Sequence, residues 1–231
     1  MEIPDAKLWS AENPYLYRVL VRTDTDEQTI FYGIRNLAWS AETGLTVNDK
    51  PVLLRGGCIH HDHGVLGACE YQDAEERRIR ILKESGFNAV RMAHNPASQT
   101  TLEICDRLGM YVMNEAFDGW YIPKTYHDYS RRFETDWRSD VTAMVESSRN
   151  HPCVIMYSIG NEVSETATPK GVEVCKRLTE FVHSLDNTRP VTAGVNVLLN
   201  VYASMGMGVY KDKGDYKPEP LPVSYTHLTL P

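Results

Sequence analysis

Short apolar runs alternate with amphipathic segments between about residues 44 and 195, and this alternation constrains the fold more than any other feature. Apolar runs bounded by turn residues are typical of buried strands, whereas the longer segments carry apolar residues at helical spacing. Strands are predicted at residues 51–54, 88–92, 110–113, 154–159 and 191–195. Because strands separated by helices pair in parallel through right-handed crossovers, the sequence predicts an α/β fold.

Capping residues mark where several of these helices begin or end. The helix after the first strand has Asp73 as its expected N-cap, and the next helix has Ser98 as N-cap and Gly109 as its stop. Thr168, which precedes a proline, is the expected N-cap of the helix after the fourth strand. The predicted buried face of that last helix consists of Val172, Cys175, Leu178, Val182 and Leu185.

The first 40 or so residues have a different character. Residues 17–22 and 29–35 are rich in aromatic and β-branched side chains and are predicted to be strands. Two strands cannot form an independent domain. We therefore expect that they either pack on the α/β part or are the last strands of a larger β-domain.

Polar and ionisable residues follow the predicted strands, and they distinguish between two α/β architectures. They are His60, His61 and Asp62; Arg91 and His94; Asn114, Glu115 and Asp118; Asn161 and Glu162; and Asn196. In a (β/α)8 TIM barrel all strand ends meet at one mouth, whereas an open sheet brings together only those beside a switch point. A TIM barrel is therefore predicted. Since about five of its eight strand–helix units are found, we expect an incomplete barrel that is part of a longer protein.

The bulk composition argues against several classes of protein. The chain has 231 residues, is 42% hydrophobic and carries a net charge of −7, which argues against nucleic-acid or anionic-membrane partners. It has no apolar run of about 18 residues, and its first residues lack the features of a signal peptide. Four of the five cysteines are interpreted as reduced core residues, which favours a reducing, cytoplasmic compartment. No zinc-ligand spacing is found, and no metal site is expected.

Glu162 is the strongest catalytic candidate, because the segment Ser158-Ile-Gly-Asn-Glu lies at the end of the fourth predicted strand. A glutamic acid at a barrel mouth can protonate a glycosidic oxygen, and Asn161 beside it can hydrogen-bond a sugar hydroxyl. The alternative is a carboxylate that only stabilises a helix N-terminus. The position of Glu162 among other polar strand ends favours the catalytic interpretation.

Two further groups of residues are candidates for substrate binding. Arg91 and His94 follow the second strand; His94 can donate to a sugar hydroxyl, whereas Arg91 can alternatively organise a buried carboxylate. His60, Asp62 and His63 follow the first strand and are expected to bind sugar hydroxyls. Metal binding by this histidine cluster is the alternative, although its spacing on an irregular segment is not diagnostic.

The third strand is followed by two more candidates, for which the sequence leaves alternatives open. Trp120 could stack on a sugar ring or anchor its own loop. Glu115 is a second carboxylate, and retaining glycosidases need a nucleophile about 5 Å from the acid. Adjacent strands lie about 4.8 Å apart, so this role is geometrically possible. We nevertheless expect a supporting role for Glu115.

Seven stretches of the chain carry a family resemblance: LWSAENPYLY, FYGIRN, VLLRGGCIHHDHG, LKESGFNAVRMAHNP, residues 102–120, RNHPCVIMYSIGNE and TRPVTAG. Together they resemble glycoside hydrolase family 2, the β-galactosidase and β-glucuronidase family. The resemblance implies that residues 1–40 are the last strands of an immunoglobulin-like β-sandwich and that residues 41–222 are the N-terminal part of a TIM-barrel catalytic domain. Residues 223–231 do not resemble the family and are expected to be a non-native tail.

The resemblance also implies roles for individual residues. Glu162 matches the acid/base, His94 matches a substrate-binding histidine, and the family's nucleophile is a glutamate on a seventh strand that this chain does not reach. The implied function is a retaining β-glycosidase that hydrolyses terminal β-D-galactosides by double displacement. The alternatives are a β-glucuronidase and a non-catalytic carbohydrate-binding relic.

The expected partner is a carbohydrate, and no cofactor is expected. The Glu-x-His motif that binds magnesium in some galactosidases is not found after Glu115. The sequence does not fix the oligomeric state, and a homo-oligomer of the longer parent protein is compatible with it.

Overall fold

The N-terminal part of the chain forms two small antiparallel sheets. The computed structural model describes residues 3–125 and 127–205. A two-stranded ribbon consists of β1 (Tyr17–Arg22) and β2 (Glu27–Tyr32). A three-stranded sheet follows, made of β3 (Leu37–Ser40), β4 (Gly44–Val47) and β5 (Lys50–Pro51).

A sheet of five parallel strands, lying side by side in chain order, forms the rest of the fold together with its helices. The strands are β6 (Gly56–Ile59), β7 (Ala89–Met92), β8 (Tyr111–Glu115), β9 (Val154–Asn161) and β10 (Val191–Gly194). The helices are α1 (Gln72–Glu84), α2 (Gln99–Leu108), α3 (Ser130–Ser148), α4 (Pro169–Leu185) and α5 (Val197–Ser204). A helix follows each strand, which is the arrangement of a (β/α) barrel.

The first strand of this sheet lies later in the chain than predicted. The prediction placed it at residues 51–54, but Leu53 is 80% exposed and the strand is β6. Gly56 explains the error, because a Cβ atom there would lie 2.2 Å from the carbonyl oxygen of Ala89 in β7. The two strands can approach only where β6 has no side chain, so a Gly-Gly pair that is typical of a loop is part of the sheet.

Most of the predicted helix caps are confirmed. Ser98 Oγ accepts a hydrogen bond from the Thr101 amide at 3.1 Å, and Thr168 Oγ1 accepts one from the Gly171 amide at 3.2 Å. Gly109 ends α2 in the left-handed conformation. Asp73 is not an N-cap; it lies in the first turn of α1, whose N-cap is the preceding Tyr71.

The predicted buried face of α4 is partly wrong. Val172 is 67% exposed, whereas Val174, Leu178 and Val182 are buried at a spacing of four residues. The helix is therefore rotated so that Gly171 faces inward, close to the backbone of Glu165.

Two cysteines also lie outside the core. Cys58 on the edge strand β6 and Cys69 in a loop are exposed, so the expectation that four cysteines lie in the core is wrong. Cys105 and Cys153 are buried, and Cys175 is half-buried.

The N-terminal segment packs against the end of the parallel sheet where β8 and β9 begin. Trp9 is fully buried, its ring lies edge-on to that of Tyr111 at 5.7 Å, and its Nε1 donates to the Asp106 carbonyl at 2.8 Å. Arg35 donates to the carbonyl oxygens of Pro152 and Val154, both at 2.6 Å. These contacts attach Trp9 and Arg35 of the N-terminal segment to the amino ends of β8 and β9.

The apolar core lies between the sheet and its helices. β9 is buried along its whole length, and helices α3 and α4 cover it with residues such as Phe133, Val141 and Leu178. Within the described residues, no helix combines the length and apolar character that crossing a bilayer requires.

Gly109 and Gly44 allow a test of how the N-terminal segment is held. Both have a left-handed φ, of 75° and 65°, but a Cβ atom at Gly109 would lie 2.3 Å from the carbonyl oxygen of Ala11, whereas Gly44 has open space. We expect Gly44→Ala to lower the free energy of unfolding by about 1 kcal/mol and Gly109→Ala by about 3 kcal/mol. Urea unfolding of both variants measures this difference, and equal losses would show that the contact with Ala11 is unimportant.

Candidate active site

Polar side chains from three neighbouring strands meet at the carboxyl end of the parallel sheet. Arg91 lies on β7, Glu115 ends β8, Ser158 and Asn161 lie on β9, and Glu162 follows β9 directly. Because parallel strands share one direction, their last residues lie at the same edge. The structure thus brings together residues that the sequence could only place at separate strand ends.

Glu115 is the centre of this cluster. Its side chain has no exposed surface, and four donors surround its two carboxylate oxygens. Arg91 donates to Oε2 from Nε at 2.9 Å and from Nη2 at 2.6 Å, Ser158 Oγ donates to Oε2 at 2.6 Å, and His94 Nδ1 contacts Oε1 at 2.7 Å. Three donors thus share Oε2, and Oε1 has one contact, so that both oxygens of the buried carboxylate are engaged.

Arg91 connects Glu115 to Asn161. Its Nη2 also donates to Asn161 Oδ1 at 2.9 Å. Burial disfavours the charged guanidinium, but the adjacent Glu115 carboxylate outweighs this effect and raises the pKa of Arg91. Because a guanidinium can only donate, the amide of Asn161 must turn its oxygen towards Arg91 and its nitrogen away.

The nitrogen of that amide faces a second carboxylate. Asn161 Nδ2 donates to Asp118 Oδ1 at 2.9 Å, and Lys124 Nζ donates to the same oxygen at 2.7 Å. Burial would raise the pKa of Asp118, but these two donors outweigh it and lower the pKa. The amide of Asn161 is therefore fixed in one orientation by a cation on one side and an anion on the other.

Glu162 is half-buried at the edge of this cluster. Its amide donates to the Gly194 carbonyl at 2.6 Å, and its Oε1 accepts a hydrogen bond from Asn196 Nδ2 at 2.9 Å. Its backbone φ is 46°, in the left-handed region that residues with a Cβ atom rarely adopt. Contacts from β10 and from the residues after it thus hold Glu162, the strongest catalytic candidate of the sequence.

The histidines after β6 divide into two groups. His60 is exposed, and its ring lies edge-on to that of His94 at 5.1 Å, so it borders the cluster. His63 instead contacts the fully buried Glu75 of α1 at 2.6 Å, and Asp62 Oδ1 accepts a hydrogen bond from the Gly64 amide at 2.9 Å. His63 is thus engaged with α1, whereas Asp62 is exposed and uses one oxygen within its own loop, so sugar binding by Asp62 stays a prediction.

Trp120 is fully buried. Its Nε1 donates to the Ile159 carbonyl at 2.7 Å, and its ring lies against Gly160, where a Cβ atom would come within 2.8 Å. With no exposed surface, the ring has no face on which a sugar could stack, which contradicts the stacking alternative. Its position is that of a loop anchor.

Four residues of the site had no assigned role at the level of the sequence. Ser158 is a hydroxyl inside an apolar run, and that mismatch is a signal that could have found it. The sequence identifies Asp118 and Asn196 only as polar residues that follow predicted strands. Lys124 lies in an irregular loop, and nothing in its sequence context distinguishes it from a surface lysine.

One buried group has the spacing of metal ligands but lies elsewhere. Asp106, His151 and Cys153 cluster near the amino end of β9, opposite the site. Asp106 already pairs with His151 Nδ1 at 2.5 Å and accepts a hydrogen bond from the Cys153 amide at 2.9 Å. Burial raises the pKa of the Cys153 thiol, which opposes the thiolate that a metal would need. The contacts fit a structural network.

A strand–helix sheet with a glutamate, an asparagine, an arginine and a histidine at the carboxyl ends of its strands is characteristic of (β/α)-barrel enzymes, whose active sites lie at this face. The model of the TIM-barrel domain of glycosyl hydrolases family 2 matches residues 41–219, and a second model of glycosyl hydrolases family 2 matches residues 1–35. The chain belongs to glycosyl hydrolase family 2. The predicted family and the incomplete barrel are confirmed.

Individual relatives agree with this assignment. A β-galactosidase from Bacteroides ovatus is 38% identical, with 85% of this chain matched to 27% of the relative. The crystal structure of a family 2 member from Bacteroides cellulosilyticus is 52% identical with a TM-score of 0.78 and matches 83% of this chain and 25% of its own. The structure of a β-D-glucuronidase from Dictyoglomus thermophilum is 28% identical, with a TM-score of 0.74, and matches 83% of this chain and 35% of its own. The chain thus spans 25% to 35% of the length of these three relatives.

Removing the charge of Glu115 tests its place at the centre of the cluster. We expect Glu115→Gln to lower the free energy of unfolding by about 3 kcal/mol, because it leaves Arg91 partly buried without its carboxylate. Urea unfolding measures the loss. Glu84→Gln on the exposed end of α1 is the matched control and is expected to change stability by less than about 0.5 kcal/mol. Similar effects of the two substitutions would contradict the central role of Glu115.

The ion pair of His61 and Glu70, 2.5 Å apart, gives the loop after β6 a pH dependence. Burial would raise the pKa of Glu70, but contacts with His61, Ser98 and Thr101 outweigh it and lower the pKa from 4.5 to about 2. The contact with Glu70 in turn raises the pKa of His61 above 6.5.

The stabilisation by this pair is expected to be largest between about pH 4.5 and 6.5, where the carboxylate is charged and the histidine is protonated in both folded and unfolded states. It declines at lower pH as Glu70 is protonated and at higher pH as His61 loses its proton. The measurement is the difference in unfolding free energy between the wild type and Glu70→Gln from pH 3 to 9 or so. A difference that does not vary with pH would refute the ion pair.

Proposed function

We propose that this chain is part of the catalytic barrel of a retaining β-glycosidase that acts on terminal β-D-galactosides, with Glu162 as its general acid/base. The observation that carries the proposal is the position of Glu162 at the carboxyl end of the sheet, next to an Asn161 whose amide is fixed in orientation. In such an enzyme Glu162 protonates the leaving oxygen and then takes a proton from the attacking water.

The contacts of Asn161 suggest how it would bind a sugar. Its oxygen is occupied by Arg91, so the group that it can present to a ligand is its second N–H. A hydroxyl of the substrate would accept this hydrogen bond next to the bond that Glu162 protonates. Arg91 then acts through Asn161 and does not need to touch the sugar.

Glu115 is a poor candidate for the nucleophile. Three donors bind its Oε2 and His94 contacts its Oε1, and the side chain has no exposed surface through which a substrate could reach either oxygen. An attacking oxygen needs a free lone pair directed at the anomeric carbon. We therefore assign Glu115 a supporting role and expect the nucleophile to come from a segment outside this chain.

A neutral sugar fits the charges of this cluster better than a sugar acid. A carboxylate-bearing substrate requires a cation that is available to it, and the two cations that the structure places here both bind protein carboxylates: Arg91 binds Glu115, and Lys124 binds Asp118. The β-galactosidase among the relatives supports the same choice. The β-D-glucuronidase relative keeps β-glucuronides as the second candidate.

A hybrid enzyme tests this proposal. Residues 41–205 replace the matching segment of the 52%-identical hydrolase from Bacteroides cellulosilyticus, which supplies the remaining strands. We expect the hybrid to hydrolyse nitrophenyl β-galactoside faster than the β-glucuronide, and Glu162→Gln to lower kcat for substrates with poor leaving groups by about 100-fold or more. Glu84→Gln is the control and leaves the rates unchanged.

The other outcomes distinguish the alternatives. A hybrid that prefers the β-glucuronide supports the second candidate, and one that binds galactonolactone without hydrolysis supports a non-catalytic carbohydrate-binding relic. Turnover by the 231-residue chain alone that Glu162→Gln abolishes would contradict the external nucleophile and would favour Glu115 in that role.

A further inference from the structure

Glu162 has an unusual backbone conformation that other parts of the structure must maintain. Its φ of 46° lies in the left-handed region, and the residue is not a glycine. Such a conformation persists only where surrounding contacts determine it. Those contacts are found at the two peptide groups on either side of Asn161.

Three contacts fix the backbone here. The backbone N–H of Asn161 donates to the Phe117 carbonyl at 3.0 Å, and the backbone N–H of Glu162 donates to the Gly194 carbonyl at 2.6 Å. The carbonyl of Asn161, which belongs to the same peptide group as the Glu162 amide, accepts a hydrogen bond from Lys124 Nζ at 2.8 Å. The peptide group that joins Asn161 to Glu162 is therefore held at its nitrogen by β10 and at its oxygen by Lys124.

Lys124 is itself well anchored. Its side chain is only 10% exposed, and its Nζ also contacts Asp118 Oδ1 at 2.7 Å. Its backbone amide donates to Asp128 Oδ2 at 2.6 Å, which fixes the loop that carries it. A hydrogen bond from an ammonium group is stronger than one between neutral groups, so this lysine is suited to orienting a peptide carbonyl.

We propose that Lys124 is a positioning residue, which holds the Asn161–Glu162 peptide group so that the Glu162 carboxylate stays at the mouth of the site. The structural part of this inference stands on the contacts alone. Its consequence for catalysis rests on the proposed function.

The structural part is tested by amide hydrogen exchange on the 231-residue chain. Lys124→Met is expected to increase the exchange rate of the Glu162 amide by about tenfold, while amides inside β9 keep theirs. Lys124→Arg, which keeps the charge, is expected to cause a smaller increase. Lys176→Met on the exposed surface of α4 is the matched control. Lys124→Gln serves as the second variant if Lys124→Met does not fold. An unchanged Glu162 amide in the folded variants overturns the proposal.

The catalytic consequence is tested in the hybrid enzyme. Lys124→Met is expected to lower kcat about 10- to 100-fold for an alkyl β-galactoside, whose leaving group needs protonation, and to change kcat little for the dinitrophenyl β-galactoside. Equal losses with both substrates would show a general structural defect and would overturn the positioning role. A hybrid that is inactive in its wild-type form contradicts the proposed function, whereas the exchange measurement still decides the role of Lys124.

Discussion

A single buried carboxylate organises the carboxyl end of the sheet. The side chain of Glu115 has no exposed surface, and leaving a buried carboxylate unpaired lowers the free energy of unfolding by about 3–5 kcal/mol. Arg91 on β7, Ser158 on β9 and His94 after β7 all donate to it. This one group therefore links β7, β8 and β9 at their carboxyl ends.

Arg91 links Glu115 to Asn161 and so to the rest of the cluster. Because its guanidinium serves Glu115 and Asn161 together, the asparagine amide cannot turn over without leaving a donor unpaired. Asp118 and Lys124 complete the same network from the following loop. The other end of the sheet is built differently. There Trp9 and Arg35 attach the N-terminal segment to the first residues of β8 and β9.

The elements that follow from local physics could be predicted from the sequence. The caps at Ser98 and Thr168 and the stop at Gly109 depend on neighbouring residues alone, and they were correctly located. The errors arose where a distant part of the chain decides the outcome. Gly56 is in a strand because β7 passes close to it, and Trp120 is enclosed because β9 offers a glycine beneath its ring. The role of Lys124 could not be predicted, since the Asn161 carbonyl that it contacts lies at the end of another strand.

The two glutamates illustrate why strand-end position alone cannot assign a role. Both follow parallel strands, and both are carboxylates that the same edge of the sheet brings together. Glu115 is fully buried among four donors, whereas Glu162 is half-buried, has a left-handed φ and lies just beyond the end of β9. A buried carboxylate with four donors holds its neighbours in place, whereas the proton exchange proposed for Glu162 needs a carboxylate that a ligand can reach. The backbone of Glu162 nevertheless depends on the same network, because Lys124, which pairs with Asp118, also donates to the peptide carbonyl that precedes Glu162.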